Sequence, residues 1–228
     1  MTIIKTNNSG WATVRHVGYF CLLLLAEQLP LTGLSFASAI AGTQQTQLTY
    51  VLGSLFLIIS ILITILFWQV YRKAVTDNNN EFEQRLHKRD GLLVAAGFIA
   101  MLLINAATIP FVKTSGNANV DSLTSLLQSF TFFMLLFVAF IGPILEEILF
   151  RGLFLNWFFP HRRWLSIGLS SVIFGTFHVD LSSGQVDPIY WLSKILLGLV
   201  LALVYSRTKN LKASITLHIL NNTLAALV

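Results

Sequence analysis

Two adjacent glutamates, Glu146 and Glu147, lie in the apolar stretch Gly-Pro-Ile-Leu-Glu-Glu-Ile-Leu-Phe-Arg-Gly (142–152), with Arg151 four residues after the second. A later apolar run holds Phe174 and His178, four apart. Another holds His218 and Asn222, again four apart, with Asn221 beside them. Ionisable side chains in such runs are costly and usually face a cavity or a partner. A helical spacing of four puts two side chains on one face, so Glu147 and Arg151 can pair. Glu146 is turned about 100° further round and can point elsewhere. A Glu with a His can take a proton from water and make it a nucleophile. A second His with an Asn can donate hydrogen bonds to a developing oxyanion. Together these groups form a kit for amide hydrolysis. Two histidines and a glutamate are also ligand types of open zinc sites, so the residue types leave zinc undecided. Neither a His-Glu-x-x-His motif nor a Ser-His-Asp order is suggested.

These groups need a scaffold, and composition names it. Of 228 residues, 55% are hydrophobic and 11% charged, with a mean hydropathy of +0.72. Soluble domains carry roughly 25% charged residues, so the apolar excess faces a bilayer. Runs of spanning length fall at 17–41, 48–71, 91–112, 125–158, 164–180, 188–206 and 211–228. They predict an all-α, polytopic transmembrane helix bundle of seven spans, or eight if the long fourth run breaks at Gly142-Pro143 instead of kinking there. The hydrophilic stretch 72–90 predicts a solvated loop with a short helix over 81–88. At about 1.5 Å per residue, Glu146 and His178 each lie roughly 20 Å from one end of their runs, and His218 and Asn222 roughly 10–16 Å, which allows one shared layer.

Charge orients the bundle. Twelve of the fifteen basic residues fall in alternate segments that include the N-terminus, and Lys113 falls in the opposite set. The rule of positive cytoplasmic loops then predicts a cytoplasmic N-terminus. The net charge of +5 serves this purpose, and no aromatic-plus-basic surface suggests nucleic acid. Membrane lipids and a peptide or protein substrate at the membrane are the expected partners; oligomeric state is left open. Cys21, the single cysteine, cannot form an internal disulfide. Glu27, near Gln28 and Pro30, reads as a helix irregularity or a cavity wall. Lys194 is expected to snorkel toward the outer interface. His16, His87 and His161 read as solvated.

The three polar segments resemble, in order, the motifs of the CAAX protease and bacteriocin-processing family (CPBP or ABI) of intramembrane endopeptidases: Glu-Glu-x-x-x-Arg, Phe-x-x-x-His and His-x-x-x-Asn. The flanks, Gly142-Pro143 and Phe150-Arg151-Gly152, match too. The resemblance covers about residues 120–228. It implies cleavage of a peptide bond near the cytoplasmic membrane surface, in prenyl-processing members on a lipidated C-terminal tail. It further implies that Glu146 with His178 activates water, that His218 with Asn222 stabilises the oxyanion, and that Glu147 and Arg151 shape the site. The family is often described as metalloproteases, but its motifs do not settle a metal. The chain then divides into N-terminal spans with a cytoplasmic loop (1–115) and a catalytic core (116–228), within one integral membrane domain of a bacterial plasma membrane. The alternative is a non-catalytic bacteriocin-immunity or regulatory membrane protein. A transporter ranks below both, because the outer halves of the runs carry few polar groups.

Overall fold

The structure, a computed structural model, describes residues 9–41, 46–77, 83–112, 118–159, 161–181 and 186–227. These residues form helices and no strands. The helices are α1 (Ser9–Ala41), α2 (Thr46–Asp77), α3 (Lys88–Thr108), α4 (Ala118–Ser129), α5 (Thr131–Trp157), α6 (Arg163–Phe177), α7 (Pro188–Thr208) and α8 (Leu211–Leu227). Hydrocarbon offers the backbone no hydrogen bonds, so apolar runs satisfy their own N–H and C=O groups as helices. Five helices, α1, α2, α3, α5 and α7, are long and apolar enough to cross a membrane. At the other two expected spans, α6 has 15 residues and α8 has 17. At about 1.5 Å per residue these fall a little short of the roughly 30 Å hydrocarbon layer. The chain is an all-α membrane bundle.

Local signals set the boundaries that matter for the site. Pro188 occupies the first turn of α7, and Asp187 Oδ1 accepts from Ile189 N–H at 2.7 Å and Tyr190 N–H at 3.1 Å. α7 ends at Lys209, which takes a left-handed conformation with φ 47°. Asn210 then caps α8, its side-chain oxygen accepting from Lys212 N–H at 2.9 Å.

Two expectations are corrected. The fourth run does break in two, but at Phe130, whose φ of −128° and ψ of 41° leave the helix. Gly142-Pro143 lies inside continuous α5. A wide π turn over Phe137–Ile141 precedes the pair and absorbs the missing proline N–H; a second covers Ile148–Phe154. Residues 83–87 are not helical. Their backbone is held by the α7–α8 turn, with Gln84 N–H donating to Lys209 O at 2.8 Å and Asn210 Nδ2 to Gln84 O at 2.5 Å. Residues 81 and 82 of that expected helix lie outside the described residues.

α5 is the centre of the bundle and touches α1, α2, α6, α7 and α8, while α3 packs on α7 and α8. The tightest approach is between α6 and α7. A Cβ on Gly175 would stand 2.8 Å from Ile195 N, and one on Gly198 would stand 2.9 Å from Phe174 Cδ1. Small residues at such contacts let helix backbones close together in a membrane. Here the contact presents the end of α6, with His178, to the side of α5.

Candidate active site

Glu147 and Arg151 form the deepest part of the site. Arg151 Nη1 lies 3.0 Å from Glu147 Oε1, and both side chains are fully buried. Arg151 Nη2 donates to Gly198 O at 2.8 Å, a bond that needs the close approach of α7. The guanidinium sits over the Phe174 ring, 4.6 Å from its centroid. The same ring packs against His178 at 4.6 Å and His218 at 5.9 Å. Phe174 therefore serves as a common wall for the cation and both imidazoles.

Hydrogen-bond partners fix the tautomers of both rings. His218 Nδ1 lies 3.0 Å from Glu147 Oε1, and His178 Nδ1 lies 2.8 Å from Phe174 O. A carbonyl and a paired carboxylate only accept, so each Nδ1 carries the hydrogen. In a neutral ring, Nε2 is then an acceptor. Both Nε2 atoms face Glu146. His218 Nε2 lies 3.8 Å and His178 Nε2 4.0 Å from Glu146 Oε2, an oxygen that is buried without a hydrogen-bond partner. Each Nε2 thus stands at a separation from Glu146 Oε2 that a water could bridge with hydrogen bonds of about 2.8 Å. Water supplies two hydrogens to three acceptors, so a complete set of bonds needs one further proton on the trio.

Zinc ligands lie about 2.0–2.2 Å from the ion, which puts tetrahedral ligands roughly 3.4 Å apart. Both Nε2–Oε2 separations are wider than that. Among the described residues no group of three or more His, Cys, Asp or Glu side chains could hold a metal ion. As spaced here, the residues do not fit a tetrahedral zinc.

Asn222 sits one turn beyond His218, half-buried. Its Nδ2 donates to Val138 O at 3.1 Å. That carbonyl is an orphan of the helix. Gly142 N–H bonds Phe137 O in the π turn, and the next residue, Pro143, has no N–H to give. Asn222 thus closes the gap opened by Gly-Pro and ties α8 to α5 just before the glutamates. Asn221 continues the link: Asn105 Nδ2 on α3 donates to Asn221 Oδ1 at 3.1 Å, and Asn221 Nδ2 donates to Asn222 Oδ1 at 3.2 Å.

All six expected residues, Glu146, Glu147, Arg151, His178, His218 and Asn222, lie along the facing surfaces of α5, α6 and α8. Asn105 was not singled out from sequence; a lone amide inside an apolar run was the available signal. Asn156 was also missed. It donates to Gly152 O at 2.8 Å and to Tyr205 Oη at 2.6 Å, anchoring the end of α5. His16 is not simply solvated: it stacks on Trp157 with ring centroids 4.7 Å apart. Lys194 points one turn back along α7, its Nζ 5.0 Å from the Tyr190 ring centroid.

The model of the Rce1-like family, described as "Type II CAAX prenyl endopeptidase Rce1-like", matches residues 128–224. "Putative membrane peptidase YdiL" of Bacillus subtilis (strain 168) is 33% identical over 96 residues, or 42% of this chain and 36% of that protein. The match thus spans about a third of that relative's length. No solved structure matches the chain. The matched segment contains all six residues of the polar layer, and in that segment this membrane protein resembles the type II CAAX prenyl endopeptidases of the Rce1-like family.

Proposed function

We propose that this chain is an intramembrane endopeptidase that hydrolyses a peptide bond of a membrane-associated substrate, with Glu146 as general base. The observation that carries this reading is the approach of two histidine Nε2 atoms, from separate helices, to within 4.0 Å of Glu146 Oε2. In the reaction a water proton passes to Glu146 Oε2 as the water oxygen bonds to the peptide carbonyl carbon. The histidine that holds the extra proton donates to the carbonyl oxygen as its charge develops, and the second amide hydrogen of Asn222 is available beside it. Collapse breaks the C–N bond, and the departing amine takes the proton from Glu146. Glu147 and Arg151 act through His218, fixing its ring and tautomer. With its Nδ1–H committed to Glu147, His218 can serve the oxyanion only through Nε2.

The catalytic core on this reading is 116–228, with α1–α3 supporting it. The basic loops favour a cytoplasmic N-terminus and access from that side in a bacterial plasma membrane. The similarity to prenyl endopeptidases favours a prenylated or bacteriocin-type peptide as substrate. Membrane peptide inventories test the reading. A deletion strain and the same strain carrying Glu146→Gln should accumulate one shared set of uncut peptides that wild type removes. Restoration of cutting by Glu146→Gln would contradict it. A protective phenotype that survives loss of both Glu146 and His178 would favour a non-catalytic immunity role.

A further inference from the structure

α1 carries a carboxylate that none of the three motifs includes and that lies outside the matched segment. Glu27 is 6% exposed, and the Gln28 amide donates to its Oε2. It belongs to the buried stripe Phe20, Leu23, Glu27, Pro30 and Leu34, spaced to form one helix face. Ring contacts fix what that face meets. His16 stacks on Trp157, and Phe20 meets Phe154 edge-on at 5.3 Å and Phe150 at 6.0 Å, so α1 runs antiparallel to α5. α1 rises about 1.5 Å per residue, and α5 somewhat less through its π turn over Ile148–Phe154. Seven residues on from Phe20 therefore lies level with seven or slightly more residues back from Phe154, which places Glu27 opposite Glu147 and its neighbour Glu146. Glu27 is thus one of the charged groups that act on the Glu146 carboxyl.

We propose that Glu27 is a positioning residue of the site, forming with Glu146 a coupled carboxyl pair in which Glu27 keeps a proton so that Glu146 stays the charged base. The proposal rests on the hydrolytic role of Glu146. Two carboxylates within reach of each other in a water-poor site cannot both stay charged without large cost, so they titrate as a pair. The other charged or titratable groups facing Glu146 are Glu147 and Arg151 on α5, His178 at the end of α6, Lys194 on α7 and His218 on α8. Arg151 is committed to Glu147, and Lys194 lies over Tyr190. Glu27 is the remaining acid, and it shares no helix with Glu146.

Infrared titration of the purified full chain in lipid nanodiscs tests this without any substrate. The carboxylic-acid carbonyl band is followed across pH in wild type, Glu27→Gln and Glu146→Gln. A coupled pair predicts that removing Glu27 moves the midpoint assigned to Glu146 by about one pH unit or more. Coupling is reciprocal, so Glu146→Gln must move the Glu27 midpoint equally, and either variant suffices if the other fails to fold. Unmoved midpoints overturn the proposal. Because the readout is not cleavage, its failure leaves the protease reading standing, and an active Glu146→Gln enzyme would remove the protease reading instead.

Discussion

α3 and α5 are nearly equal in mean hydropathy, 2.3 and 2.2, yet 56% of the apolar window of α5 is buried inside the protein against 11% for α3. Hydropathy places both in the membrane and cannot tell them apart. Their polar residues can. α5 carries Glu146, Glu147 and Arg151, whose exposure to lipid would cost several kcal/mol, so neighbouring helices must cover it. α3 places one amide, Asn105, toward α8 and turns Leu103 and Ile99 outward, at 65% and 58% exposure. Charge within a span marks the centre of the bundle, and its absence marks a lipid-facing wall.

Substitutions can break that contrast at graded strength. Arg151→Met should be the most damaging, because it leaves the Glu147 carboxylate buried without its cation; a loss of about 3–5 kcal/mol is expected in unfolding titrations in detergent. Adding Glu147→Gln to it should recover much of that loss, since the cost is the unpaired charge. Gly175→Ala comes next. Its new Cβ would press on the Ile195 backbone, which cannot swing away as a side-chain tip would, so about 2–3 kcal/mol should be lost and His178 displaced. Asn222→Leu should cost about 1–2 kcal/mol by leaving Val138 O without a donor, with helix content by circular dichroism unchanged. Leu103→Val on the outward face of α3 should change stability by less than about 0.5 kcal/mol. A large effect there would show that α3 has a protein partner.

Much of this was legible in the sequence. The all-α membrane class follows from the scarcity of charge. The Glu147–Arg151 pair and the separate aim of Glu146 follow from helical spacing. The break at Phe130 was not legible, because an apolar residue at a bend looks like any other residue of a span. At Gly142-Pro143 the sequence left a kink or a break open, and the helix continues because a π turn and a side chain from α8 repair the backbone there. The part played by Asn222 in that repair depends on which carbonyl π hydrogen bonding leaves free, and periodicity does not encode it. Glu27 was visible as a costly charge, but its place opposite Glu146 emerged only from the ring contacts between α1 and α5.

Cleavage by the purified chain in proteoliposomes tests the central claim most directly, using as substrate a membrane peptide that accumulates in the deletion strain. Wild type should cut it, and Glu146→Gln at equal abundance should be slower by about 10²–10⁴-fold, the contribution expected of a lost general base. Cutting by Glu146→Gln at the wild-type rate would contradict the account.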